Sequence, residues 1–319
     1  MKRLSLKPAS VSLIIAIALS AFVSACGGPP YSIDNSTDRD AMKIDILNAL
    51  TKEDCATAIT LATTLYDSKY SDNEIRMLYA SAHGCNVGLK LYDAIGDLAN
   101  FNIANPISQF PKMFPSTVAD SRLASSNYAQ DALQAILNSG TVLAVPDQIY
   151  PGTYNVGSDN YAFRSDDANT YLMFISMAEI GTALNRFGSP SATYGQGATL
   201  QWETMAAVKA DTTGAACALA SAFLNFFDGA NSAFSYLAPS ATGSIQAVLT
   251  IMQGPLVTQD PIPGRTTFGG NAHCLSDGYS QAQCTAAGQR LRFRGACSEQ
   301  DPAASYAAGI IGAVNDLWL

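Results

Sequence analysis

Cys55-Ala56-Thr57-Ala58-Ile59-Thr60-Leu61-Ala62-Thr63-Thr64-Leu65-Tyr66, a break at Asp67-Ser68-Lys69-Tyr70, then Ser71-Asp72-Asn73-Glu74-Ile75-Arg76-Met77-Leu78-Tyr79-Ala80-Ser81-Ala82-His83-Gly84-Cys85: this stretch decides the fold. In the first limb Cys55, Ala58, Ile59, Ala62, Leu65 and Tyr66 recur at i, i+3, i+4 and i+7, the spacing of one helix face. In the second, Ile75, Leu78, Tyr79, Ala82 and Cys85 do the same. Ser71 and Glu74 stand at capping-box spacing, so the second helix is expected to open there. Two helices joined by so short a turn run antiparallel. Cys55 and Cys85 each lie about 15 residues from the turn centre, at equal height for a rise of about 1.5 Å per residue. Both fall on an apolar face, so they are expected to form a disulfide between the two helices.

The same periodicity extends outward in both directions. Before the hairpin, Ile44, Leu47 and Leu50 mark a helix from Ala41, with those three side chains inward. After it, residues 101–117 carry Pro106, Pro111 and Pro115 and cannot form one helix. Helix resumes over 118–138, with Leu123, Ala124, Leu133, Ile136 and Leu137 inward, and stops before Gly140. Ser165-Asp166-Asp167 opens a long apolar helix to Phe187, ended by Gly188 and Pro190. Further helices are expected over 215–227, near 230–238 and 243–253, after a capping box at Ser280-Gln281-Ala282-Gln283, and from Asp301-Pro302 with Tyr306, Ile310, Ile311, Val314 and Leu317 inward. No run alternates with the period of a strand. The expected fold is all-α: a helical bundle or helical-repeat-like domain stapled by disulfides, with long Gly/Pro-rich loops at 141–164, 189–201 and 254–271.

The N-terminus sets the compartment. Lys2, Arg3 and Lys7 precede a 13-residue apolar run, Val11 to Val23, too short for a bilayer, which needs about 20 residues. The run closes on Val23-Ser24-Ala25-Cys26, which resembles the lipobox of bacterial lipoproteins, with Val in place of the commoner Leu. That resemblance implies loss of residues 1–25, a diacylglyceryl-modified Cys26 as the new N-terminus, and, with Gly27 rather than Asp after it, residence in the outer membrane. Residues 26–40 are polar and turn-rich and read as a flexible tether, leaving 41–319 as the helical domain. Within it, residues 41–100 resemble a tetratricopeptide-type hairpin: Ala58-Ile59 recurs as Ala94-Ile95, and Ala80 and Gly88 stand where such helices pack. The signature Trp, the Leu-Gly pair and the terminal Pro of that family are missing. The hairpin is loosely similar to helical-repeat lipoproteins that accompany periplasmic transport systems.

With Cys26 lipidated, six cysteines remain, an even number suited to an oxidising compartment and three disulfides. Beyond Cys55–Cys85, the short spacing of Cys274 and Cys284 favours a local bridge, which leaves Cys217 with Cys297. No Cys-x-x-Cys occurs, so a structural zinc is not expected.

Loss of the leader removes three basic residues, leaving 15 basic against 26 acidic, a net charge of −11. Such a balance argues against nucleic acid as a partner, since that binding rests on Lys and Arg at phosphates. Serine-hydrolase, metalloprotease and phosphate-loop motifs are missing, and Gly195-Gln196-Gly197 has no strand before it, so no cofactor is expected. Only two histidines could serve as bases: His83, among apolar positions, and His273, beside Cys274; both read as structural. Asp166-Asp167 suits a helix start more than acid–base work. Aromatic residues crowd the loops around 150–163 and 194–202. Among them Tyr154, Tyr161 and Trp202 are the candidate binding residues, in loops carried by a helical scaffold. The expected function is that of a lipid-anchored binding or scaffold protein rather than an enzyme, with the membrane and an envelope protein or small solute as partners. An envelope hydrolase acting on cell-wall material is the alternative.

Overall fold

In a computed structural model that describes residues 31–90, 107, 109–114, 119–137, 166–187, 200–237, 269–292, 297 and 301–318, the chain forms helices, and no strand occurs among the described residues. In chain order they are α1 (Ser36–Thr51), α2 (Cys55–Tyr66), α3 (Asn73–Val87), α4 (Gln109–Met113), α5 (Ala119–Leu137) and α6 (Asp166–Phe187). The rest are α7 (Met205–Ala210), α8 (Ala215–Leu237), α9 (Gly270–Ser276), α10 (Gln281–Leu291) and α11 (Asp301–Trp318). The all-α expectation holds.

Side chains that answer free backbone N–H groups fix the helix starts. Asn35 Oδ1 accepts from the Thr37 N–H (3.0 Å), so α1 begins at Ser36, five residues before the expected start and inside the stretch read as tether. Asp54 Oδ1 accepts from the Thr57 N–H (3.2 Å) and caps α2. At α3 the cap is Asp72, accepting from Ile75 N–H (2.8 Å), one residue beyond the expected Ser71. Glu74 therefore does not close a box and instead pairs with Lys43 of α1 (2.5 Å). The expected box at Ser280 and Gln283 forms in full. Asp301 lies in the first turn of α11 rather than ahead of it.

Each long helix packs on the next along the chain: α1 on α2, α2 on α3, α3 on α5, α5 on α6, α6 on α8, and α8 on α11. Two apolar clusters result, one under α1–α3 and α5, the other among α6, α8, α10 and α11. α6 joins them, giving Leu172 and Ile175 to the first and Met173, Phe174 and Met177 to the second. A helix buried on every side can serve two cores at once. α4 lies across it where Gly181 leaves room: a Cβ there would come within 2.5 Å of the Phe110 carbonyl oxygen. Asn185 Nδ2 donates to the carbonyls of Pro111 (2.9 Å) and Phe114 (2.7 Å) and holds the contact.

α1 turns its other face inward than expected. Met42, Ile46 and Ala49 are buried, while Ile44 and Leu47 are 58% and 53% exposed. Ala124 of α5 is also exposed, beside buried Leu123. α8 continues through Asp228-Gly229 to Leu237 as one helix where two were expected.

All three expected disulfides form: Cys55–Cys85, Cys217–Cys297 and Cys274–Cys284, with Cα separations of 5.5, 5.6 and 5.7 Å. The second ties α8 to the segment leading into α11. Nearby, Ser221 Oγ (2.8 Å) and Asn225 Nδ2 (2.9 Å) of α8, with Gln134 of α5, donate to the Arg292 carbonyl as the chain leaves α10 inside the core. A carbonyl at a buried helix end must be met in this way.

Candidate functional site

α9 and α11 pack against each other and touch through glycines. A Cβ on Gly270 would lie 2.2 Å from the Tyr306 ring, and one on Gly309 would lie 2.5 Å from His273 Cβ. Beyond this contact, toward the end of α11, a cleft of about 530 Å³ opens. Its walls are Ala272, His273 and Ser276 from α9 and Ala308, Gly312 and Ala313 from α11, with Asp316 and Glu203 as carboxylates and, among the described residues, no Lys or Arg in its lining. This volume falls within the roughly 300–1,000 Å³ of small-molecule sites.

Glu203 reaches the cleft because the segment before it is anchored on its other side. Leu200 and Trp202 are buried while Gln201, where the chain bends, and Glu203 are exposed. Trp202 packs edge-on against Phe187, ring centroids 4.9 Å apart. Asn315 of α11 splints the segment: its Oδ1 accepts from the Leu200 N–H (2.8 Å) and its Nδ2 donates to the Leu200 carbonyl (3.1 Å) and to Glu203 Oε1. The carboxylate is therefore set before any ligand arrives.

His273 is held in turn. Its Nε2 lies 3.7 Å from Asp277 Oδ2, which accepts from Ser305 Oγ of α11 (2.5 Å). The adjacent Cys274–Cys284 bridge locks α9 to α10. The histidine thus has a carboxylate behind it and a cleft before it.

Two positions here work against the helix that carries them. Gly312 sits within an 18-residue helix, and among the described residues a Cβ there would meet nothing within 4 Å. Glycine at such a place costs about 1 kcal/mol relative to alanine, and close packing does not call for it, as it does at Gly309. Asp316 lies in the last turn of α11, where the helix dipole disfavours an acid, and that turn holds no basic residue.

The structure treats the sequence-derived candidates differently. Tyr154, Tyr161 and Cys26 lie outside the described residues, as do Tyr194 and the second half of the tetratricopeptide resemblance, Ala94-Ile95. Trp202 is 3% exposed, so it does not present a binding surface; burial of its ring against Phe187 is worth more than display, and it positions Glu203 instead. His83 is buried between α3 and α5. Asn86 Nδ2 donates to Ser125 Oγ (2.7 Å), leaving the Ser125 hydroxyl to donate to His83 Nδ1 (3.3 Å). Among the described residues His83 Nε2 has no hydrogen-bond partner. Burial pushes this imidazole down to about 4. His273, read as structural, lines the cleft. Glu203, Ser276, Gly312 and Asp316 escaped sequence reasoning altogether. The only signal was the pairing of a mid-helix glycine with an acid four residues on.

A second concavity, about 390 Å³, lies beside the Cys55–Cys85 bridge; its rim charges, Lys90 and Glu53, neutralise each other at 3.0 Å. Among the described residues no group of three His, Cys, Asp or Glu is placed to hold a metal ion, and no helix is long and apolar enough to cross a membrane. No protein-family model, curated protein or solved structure matches this chain.

Proposed function

We propose that the mature chain is a lipid-anchored protein of the bacterial cell envelope that binds a small ligand in the cleft between α9 and α11. The basic start, the apolar run and the lipobox resemblance at Val23–Cys26 support the compartment and the anchor, and Gly27 favours the outer membrane. Ten residues, Cys26 to Asn35, precede α1. At about 3.3–3.6 Å each they keep the domain within roughly 35 Å of the bilayer. A tethered binder so close to the membrane suits the delivery of a solute to an envelope transporter, and the α2–α3 hairpin offers the scaffold on which such a partner docks.

The observation that carries the reading is the cleft itself, with a carboxylate positioned by Asn315 and bare helix backbone at Gly312. Native mass spectrometry of the protein isolated from its own envelope tests it. Wild type should carry a noncovalent mass that Gly312→Leu lacks while keeping its helical circular dichroism. The same mass on both proteins, or none on either, removes the cleft from the account.

One observation favours a second reading. His273 lines a cleft that holds two acids and has a third, Asp277, 3.7 Å from its Nε2, a set from which a general base could be drawn. As an envelope hydrolase, the protein would release new amines or reducing ends from purified cell-wall fragments, and His273→Gln would abolish that release. Absence of turnover by wild type leaves binding as the function.

A further inference from the structure

We infer that the ligand of this cleft is an organic cation, a small molecule with an ammonium head held between Glu203 and Asp316, an inference that rests on the binding reading above. The chemistry of the lining chooses the charge. Two carboxylates face the cavity, and among the described residues its lining holds no Lys or Arg and a single histidine, His273. Among the described residues none of the Lys or Arg side chains pairs with Asp316. Asp316 stands in the final turn of α11, where the last backbone carbonyls also present negative charge. An anion placed there would face like charge from the side chains and from the helix end. An ammonium group would be attracted by both.

The two positions that weaken α11 fall one turn apart on the same wall. Gly312 and Asp316 occupy i and i+4, so they face the cavity together. Packing explains Gly309, which meets His273, but no described residue fills the space at Gly312. Local choices that weaken a helix without a structural return concentrate at functional sites. A bare backbone at Gly312 lets a flat or narrow alkyl body lie against the helix, while the head reaches Asp316 and the oriented oxygen of Glu203. Glu203 keeps one carboxylate oxygen on Asn315, so its other oxygen is the one offered to the ligand.

Isothermal titration of the full-length lipidated protein in detergent decides the matter, with putrescine and spermidine as cationic probes, N-acetylglucosamine as a neutral one and succinate as an anionic one. The inference expects an amine probe to bind, with affinity reduced at least about tenfold in Asp316→Asn and in Glu203→Gln, reduced again by raised salt, and lost in Gly312→Leu. Melting curves confirm that each variant is folded. Amine binding that survives both charge-neutral variants overturns the inference, as does amine binding that survives Gly312→Leu. Binding of the neutral or anionic probe alone, lost in Gly312→Leu, overturns the cation and leaves the cleft as a binding site. Failure of every probe, with no ligand carried from the envelope, overturns both.

Discussion

Acidification should destabilise the α3–α5 interface through one side chain, His83. Its ring packs edge-on against Tyr79 (centroids 4.5 Å apart) and tilted against Tyr128 (5.1 Å), and among the described residues the Ser125 hydroxyl alone is in hydrogen-bond contact with it. Burial lowers its pKa from 6.5 to about 4. The unfolded chain therefore binds a proton in a range where the folded chain refuses it. The contribution is complete above about pH 6.5 and is lost as pH falls from there toward about 4. Integration over that window gives at most about 2.5 kcal/mol lost by about pH 4.5. The assay is urea unfolding followed by far-ultraviolet circular dichroism at several pH values, for wild type and His83→Gln. Carboxylates titrate in both proteins and cancel in the difference. Wild type should lose stability relative to the variant by up to about 1.4 kcal/mol per pH unit across the window, at unchanged m-value. Parallel profiles from about pH 7 to about 4.5 would refute the depressed histidine and the dry packing inferred around it.

Opening the Cys55–Cys85 bridge by the double change Cys55→Ser, Cys85→Ser should cost about 3–4 kcal/mol by the loop-entropy argument, read as a lower urea midpoint. Gly181→Ala should drive a methyl into the Phe110 carbonyl, cost about 1–3 kcal/mol, and raise hydrogen exchange in α4 before α8. Asn315→Leu should leave the backbone N–H and C=O of buried Leu200 without their partners and cost about 2–4 kcal/mol in the same melts. Mass spectrometry of the mature N-terminus should find acyl groups on Cys26, and Cys26→Ser should release the protein from membranes; a mature chain that begins elsewhere contradicts the anchor.

Much of the fold was legible where one face of a helix differs from the other. The 55–85 hairpin, its disulfide, and helices 166–187 and 301–318 follow from apolar spacing alone. α1 was misread because Met42, Ile46 and Ala49 and the pair Ile44 and Leu47 are nearly equally apolar; contacts with α2 and α3, not local pattern, choose between them, and Leu50 still packs on the core. Asp228-Gly229 looks like a helix stop, yet packing of α8 against α6 carries the helix through. Trp202 was misassigned for a related reason. An aromatic residue beside a loop can face either way, and Phe187, distant in sequence, supplied the better surface. The cleft could not be read at all. It needs Gly309 to meet His273 and Asn315 to meet Leu200, contacts 36 and 115 residues apart in the chain, with no shared local signature.

The central claim is that the cleft is maintained for a ligand at the expense of its own helix. Gly312→Ala tests it in one paired measurement, thermal midpoint and spermidine affinity on the same preparation. A methyl in empty space with helical backbone should raise the midpoint by about 1–3 °C, since alanine outranks glycine in a helix interior, while affinity falls at least about fivefold. A midpoint that rises with affinity unchanged would mean that the empty wall at Gly312 serves no ligand, and would contradict the account.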